Sequence, residues 1–330
     1  MTAITHNLSE TFTHIRPFDV GKDLGAVADL VEICFSDSLD EDGRRYIEQM
    51  HSAARNPRYL RWATAVADHV SMPLTGYVWE ENGFLAGNLN LIPFLNRGRR
   101  CYLIANVAVD PGYRRRGIAR ALTSVALEHA RRKGASAVWL HVREENNIAF
   151  HLYSSLGFRE RARRTTWELY GRRLGPSALE PPDYSPEIQV VNRQNWHWPQ
   201  QHNWLDHLYP PEVTWHLPFN LSAFRPGLFG MVYRLVTATQ MLHWSVLIDG
   251  ALAGVLTWQP RAGSADYLWL AADERHEEAA IAALLSQARR HFASRRRLIL
   301  DYPAGHAVQA FQYAGFHLQQ TLIWMAVSRI

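Results

Sequence analysis

Gly171 to Pro186, GRRLGPSALEPPDYSP, holds four prolines and two glycines with little apolar periodicity, and it divides the chain almost in half. Proline fixes φ and removes a backbone donor, so this stretch reads as a linker rather than as an element. Before it, β-like runs at His14–Phe18, Leu74–Glu80, Phe84–Phe94, Tyr102–Val109, Ala137–Arg143 and Phe158–Tyr170 are interleaved with helical patterns near 23–35, 41–54, 117–133 and 147–155. The tight Glu81-Asn82-Gly83 turn before Phe84 signals a hairpin, so the sheet is expected to be mixed. After the linker the order recurs. Helix-like material at Trp196–Leu217 precedes strand-like runs at 230–239, 243–249, 251–258 and 265–271, a helix at 275–293, a strand at 297–302, a short helix at 305–313 and a last strand from Phe316.

This recurrence is an internal repeat. Ala149, Gly157 and Phe158 find Ala307, Gly315 and Phe316 at a constant offset of 158, while Asp110, Ile118 and Leu122 fall on Asp273, Ile281 and Leu285 at 163. The expected architecture is α/β, of the α+β mixed-sheet kind. It has two domains of one fold, at 12–170 and 187–330, joined by the linker 171–186. A chain of 330 residues fits two domains.

Composition narrows the class of function. Lys plus Arg total 35 against 31 Asp plus Glu, a mild excess that argues against a nucleic-acid-coating protein. Cys34 and Cys101 are the only cysteines, too few for a disulfide framework or a sulfur-ligated zinc site, so no metal and a reducing compartment are expected. The start MTAITHNLSETFTHIRPF has no secretory pattern, and no run of about 18 apolar residues occurs, so the expectation is a cytoplasmic protein without a membrane partner. Only Lys22 and Lys133 are lysines. The arginine forks at 97, 99, 100, 159, 161, 163 and 164 read as a solvated basic face, which would also suit an acidic acceptor.

The most informative stretch is Val107-Ala108-Val109-Asp110-Pro111-Gly112-Tyr113-Arg114-Arg115-Arg116-Gly117-Ile118-Ala119-Arg120, an apolar strand running through a Pro-Gly turn into three arginines and a helix start. Helix starts present free N–H groups and the positive end of the macrodipole. Gly117 and Ala119 let a ligand approach the backbone closely, so the stretch can cradle a pyrophosphate, with Arg114, Arg115 and Arg116 at its rim. About thirty residues on, a strand ends near Arg143, Asn146 is placed to cap a helix, and Gly157 stops that helix before Phe158.

Together, Arg114-x-x-Gly117-x-Ala119 and Asn146-x-x-Ala149-x-x-x-Tyr153-x-x-x-Gly157-Phe158 resemble the GNAT superfamily of acyl-CoA-dependent N-acyltransferases, over roughly residues 12–170. The resemblance implies two tandem GNAT-like domains, each a splayed mixed sheet flanked by helices. It implies acetyl-CoA as co-substrate, with its pantetheine arm in a gap between the strand ending at Val109 and the strand containing His141. Backbone groups of Val107, Ala108 and Val109 would pair with that arm like an added strand. Arg114, Arg115, Arg116, Gly117, Ile118, Ala119 and Arg120 would hold the pyrophosphate, and Asn146 would hold the ligand or cap its helix.

Acyl transfer by direct attack needs a neutral amine, support for the oxyanion and a proton for the departing thiolate. The resemblance places Tyr153 as the leaving-group acid, a phenol protonated at neutral pH. Leu140-His141-Val142-Arg143, followed by Asn146 and Ala149, is similar to the protein N-terminal acetyltransferases, in some of which a His or Glu at this place activates the amine through a water. His141 is the candidate base. The acceptor implied is a peptide or protein α-amine, while the two-domain layout is similar to acyltransferases of small molecules such as the mycothiol synthases.

The second half is stripped. At the repeat offsets Arg114-Arg115-Arg116-Gly117 becomes Glu277-Glu278-Ala279-Ala280, Tyr153 becomes Phe311, His141 becomes Ile299 and Asn146 becomes Ala304. Carboxylates repel a pyrophosphate, so no acetyl-CoA is expected there. The histidines and tryptophans around Trp196, Trp198, Trp204 and Trp215 match no metal spacing and read as packing aromatics. Scaffold, substrate-side wall or homodimer surface are the roles open to this half. A non-catalytic acyl-CoA sensor is the competing class.

Overall fold

A computed structural model of the chain describes residues 13–36, 41–67, 70, 72–170, 187–214, 217, 219–227, 241–260, 265–292 and 297–328. The expected linker at 171–186, the strand-like run at 230–239, Trp215 and His216 lie outside the described residues.

The first half runs β1 (Ile15–Pro17), α1 (Val20–Phe35), α2 (Glu41–Ala54), α3 (Pro57–Val66), β2 (Thr75–Glu81), β3 (Phe84–Asn96), β4 (Arg99–Val109), α4 (Ile118–Arg132), β5 (Ala137–Arg143), α5 (Asn147–Ser155) and β6 (Arg159–Leu169). The second runs β7 (Ile188–Asn192), α6 (Trp198–Leu208), α7 (Pro211–Thr214), α8 (Leu221–Phe224), β8 (Leu242–Ile248), β9 (Ala251–Gln259), β10 (Ala265–Ala272), α9 (Glu277–Phe292), β11 (Arg297–Pro303), α10 (Val308–Tyr313) and β12 (His317–Ser328). Sequence patterning passes over α3, although Asn56 caps it by accepting from the Arg58 and Tyr59 N–H groups and Pro57 starts it. The helical stretch expected at Trp196–Leu217 breaks where Pro210 and Pro211 follow one another.

The chain forms two compact units that trade segments. One contains the residues up to Arg161 together with those from Trp324, and the other contains Ala162–Ile323. The boundaries 12–170 and 187–330 therefore need correction. From Ala162 onward β6 serves the second unit, where it pairs antiparallel with β11 from Leu169↔Leu298 to Arg164↔Pro303. The end of β12 serves the first unit, beside β5. Such pairing is set by long-range register, which a local apolar pattern does not specify.

In the first unit the strands run β1-β2-β3-β4-β5, antiparallel except for the parallel β4–β5 pair. Ile118, Leu122, Ala126 and Ala130 recur at four-residue steps along α4 and are buried. Gly87 allows this helix to sit close, because a Cβ there would lie 2.8 Å from Ile118 Cγ2. The second unit repeats the plan as β6-β11-β10-β9-β8-β7, with β10–β11 parallel and Gly254 taking the part of Gly87 beneath Ala280 and Leu284 of α9.

Candidate active site

The turn after β4 is built by Asp110, whose carboxylate accepts from the Gly112 N–H at 2.8 Å. Arg115 and Gly117 then adopt left-handed backbone, φ 63° and 79°, and Gly117 becomes the N-cap of α4 with no side chain closing it. The first N–H to find an acceptor inside this stretch is that of Ala121, which donates to Gly117 O at 2.9 Å. Those of Ile118, Ala119 and Arg120 are the helix-start donors that have no acceptor within their own helix. A Cβ on Gly117 would meet nothing within 4 Å, so open space lies beside this glycine. Arg114, Arg115 and Arg116 are exposed around them. Ile118 offers only its backbone, since its side chain is buried against Gly87.

Three cradle arginines, Arg114, Arg116 and Arg120, already have partners. Arg116 donates to both Glu81 oxygens, at 3.1 and 2.9 Å, and stands 5.0 Å over the Tyr113 ring, which stacks on Phe84. Arg116 in turn holds the Glu81 carboxyl below the usual carboxylate range. Arg120 donates to Ser155 Oγ at 2.6 Å, which ties the start of α4 to the end of α5.

The β4 edge beside this turn is unpaired. β4 and β5 pair only at Cys101↔Ala137, Tyr102↔Val138 and Leu103↔Trp139, then part. On its other side β4 stays with β3, and the Asp110 N–H donates to Ala86 O. Antiparallel ladders alternate, so Asn88 and Ala108 exchange bonds while the N–H and C=O of Val107 and Val109 point away from β3 into the gap. Ala108 therefore faces β3 with its backbone groups, a correction to its expected place among the ligand contacts. Val109 O accepts from Cys34 Sγ at 3.2 Å and from Arg114 Nε at 3.3 Å. Val107 is the freer edge residue.

Across the gap stand β5 and α5. Asn146 caps α5, its Oδ1 accepting from the Ala149 N–H at 3.0 Å. Tyr153 is 6% exposed, and burial pushes its phenol well above the ordinary value, so it stays protonated at neutral pH. His141 keeps an exposed face on β5, with its ring centroid 5.0 Å from that of Trp324. Crowding around the ring and then the Arg143 guanidinium push its pKa down, to about 4. His141 is therefore neutral at pH 7 and able to accept a proton.

The acetyltransferase (GNAT) family model matches residues 33–158. Over this segment the chain is similar to the GNAT family. It is similar to the [ribosomal protein bS18]-alanine N-acetyltransferase of Escherichia coli K12, 46% identical over 55 residues, which are 17% of this chain and only 37% of that protein. Among solved structures, a tandem GNAT protein from the clavulanic acid biosynthesis pathway covers 95% of this chain and 98% of its own at 19% identity and TM-score 0.50. A GCN5-related N-acetyltransferase from Sphaerobacter thermophilus covers 96% of each chain at 15% identity and TM-score 0.53. These likenesses show the fold, two tandem GNAT-like domains.

The second GNAT-like unit has the same splay, with β10 and β11 pairing only from Ala265↔Arg297 to Tyr267↔Ile299. Here the edge is occupied. The Asp273 N–H donates to Ala253 O as Asp110 does to Ala86, which makes Leu270 the counterpart of Val107. The buried Tyr209 hydroxyl donates to Leu270 O at 3.1 Å and accepts from the Leu270 N–H at 3.3 Å. At the helix start, Glu277 accepts from the Tyr302 hydroxyl and faces His306 Nδ1 at 3.2 Å, while Glu278 accepts from the Ala310 N–H. Phe311, in the place of Tyr153, stacks on Trp167 with ring centroids 4.6 Å apart. Strand register corrects one correspondence. With Leu103↔Trp139 matching Tyr267↔Ile299, the counterpart of His141 is Asp301 rather than Ile299. Arg164 Nε donates to Asp301 at 2.7 Å, so this arginine is buried in an ion pair and does not belong to a solvated basic face.

Motif reading missed Glu81, Cys34, Trp324 and Tyr209, which act from distant strands and helices. Their signal is three-dimensional.

Proposed function

We propose that the first GNAT unit moves an acetyl group from acetyl-CoA to a primary amine by direct attack in a ternary complex. One observation carries this reading: the unpaired β4 edge at Val107 leads directly to an uncapped helix start at Gly117, with open space beside that glycine. A pantetheine amide matches the first and a pyrophosphate the second. The second unit has the same edge filled by Tyr209 and its helix start occupied by Glu277 and Glu278, which supports a single acetyl-CoA site per chain.

The chain's own residues divide the chemistry. The amine nitrogen forms a bond to the thioester carbonyl carbon and the carbon–sulfur bond breaks. Neutral His141 takes the proton that the nitrogen loses, through a water, and Tyr153 gives its phenolic proton to the departing sulfur. Val107 N–H supports the negative charge that develops on the carbonyl oxygen. The acceptor is a peptide or protein α-amine, the class named for the bacterial relative, or a small-molecule amine, and the two free cysteines Cys34 and Cys101 suit a reducing cytoplasm.

A thiol-release assay with acetyl-CoA against a panel of peptides and small amines tests the reading. Turnover that falls at least tenfold in kcat/KM for both Tyr153→Phe and His141→Ala is expected, about 1.4 kcal/mol of transition-state stabilisation each. Tight CoA binding with a blank across the whole panel would assign the chain to the sensor class instead.

A further inference from the structure

β4 contains one residue more than its counterpart. From Leu103 to Val107 the chain spends three intervening residues where Tyr267 to Leu270 spends two, and the β3–β4 ladder slips between Asn88↔Ala108 and Asn90↔Ala105. The extra residue is Asn106, in left-handed backbone at φ 50°. A bulge of this kind redirects a peptide plane. The β9–β10 ladder runs without a slip through the same region.

Three asparagines hold the bulge. Asn88, fully buried, donates from Nδ2 to Asn106 O at 2.9 Å and to Asn90 Oδ1 at 2.9 Å. Asn90, 1% exposed, donates to Pro73 O at 3.1 Å and Thr75 O at 3.3 Å. Asn106 Nδ2 donates to Asn90 Oδ1 at 3.1 Å and to the Tyr46 hydroxyl at 3.0 Å. Burying the Asn88 and Asn90 amides inside a sheet is costly unless they are bonded, and Asn88 Oδ1 has no partner at all among the described residues. In the unit whose edge is filled, the positions of Asn88 and Asn90 carry Val255 and Thr257. The amides and the bulge occur together in the copy with the open edge.

We infer that Asn88 is a positioning residue for acetyl transfer: by fixing the carbonyl of Asn106 it aims the Val107 N–H into the gap. In a trans peptide the C=O and the following N–H point opposite ways, so a carbonyl held on the β3 side by Asn88 turns the Val107 N–H away from β3. Asn88 touches no reacting atom. It sets the direction of the donor that does, and Asn90 and Asn106 lock Asn88 in place. This rests on the acetyl-transfer reading above.

Two measurements on the full chain test it. In the first, Asn88→Leu and Asn88→Asp are compared with wild type for kcat, both KM values and CoA affinity by calorimetry. The expected result is a kcat at least tenfold lower, with each KM and the CoA Kd within about threefold, because removing a preorganised donor acts on the transition state. A kcat within threefold in folded variants, or a loss that tracks only the folded fraction, would overturn the role. In the second, which needs no variant, the amide resonance of Val107 is followed in wild-type protein with CoA and with acetyl-CoA. A Val107 shift with acetyl-CoA that differs from the shift produced by CoA is expected. An identical response to both ligands overturns the inference and leaves the CoA site standing, whereas silence of residues 107–119 to both ligands overturns the acetyl-CoA reading itself.

Discussion

The Glu81 carboxylate grips Arg116 through both oxygens, so this cradle arginine meets any incoming phosphate with its charge already shared. Arg115 stands exposed on left-handed backbone at the same rim. Arg115→Ala should weaken CoA binding about tenfold, the loss of one charge-assisted contact, while Arg116→Ala changes it by less than about threefold. Glu81→Gln frees Arg116 and should tighten binding. Calorimetry with CoA at fixed salt reads all three, and equal losses for Arg115→Ala and Arg116→Ala would show that Glu81 releases its partner in the complex.

Gly117 separates stability from binding. Its φ of 79° suits glycine, and a Cβ there meets nothing in the free protein. Gly117→Ala should therefore lower stability by only about 1 kcal/mol of backbone strain, while the added methyl occupies the space where a phosphate meets the helix start. CoA affinity falls at least tenfold, measured beside a Tm lowered by a few degrees.

How much of this was legible in the sequence depends on range. Ala137–Arg143 and Asn147–Ser155 are strand and helix as their patterns predict, because alternation, the Asn146 cap and the stop before Phe158 are local signals. The turn and helix start at Arg114–Arg120 were legible for the same reason, since they are contiguous in the chain. The traded strands, the gap and the bulge were not. Each is a matter of which strand a segment pairs with, and the sequence of Arg159–Leu169 reads the same whichever unit it joins. The sequence offset also misplaced the counterpart of His141, because an offset fixed at Gly157 and Gly315 slips by two residues back in the strand.

The pH behaviour of His141 has a definite sign. Its pKa is lowered in the folded chain, to about 4, so between that value and an ordinary 6.5 the unfolded chain binds the extra proton. Stability from this group is therefore full above about 6.5 and lost as pH falls toward 4. A His141→Gln variant should lose less stability than wild type across that window in denaturant titrations. In kcat/KM, His141 should contribute no inflection near 6.5, and an inflection there that disappears in the variant would contradict the lowered value.

Tyr209 is a structural group in the position where the first unit leaves its edge open. Tyr209→Phe strands the N–H and C=O of Leu270 beside an apolar ring, and the expected loss is about 1–3 kcal/mol in unfolding free energy. Acetyl-CoA turnover at the first site should be unchanged in the folded variant. A variant as stable as wild type would show that the two bonds are not needed to close this edge.

The end of β12 determines when the candidate site can be complete. His141 packs against Trp324 with the rings tilted, and the segment of Trp324 counts among the residues of the first unit even though the whole second unit lies between them in the chain. A nascent chain released up to Tyr170 therefore lacks the neighbour that orders its own candidate base. Contacts of such long sequence separation form late and slowly, so the first unit cannot complete its site until residues 324–328 are available to it.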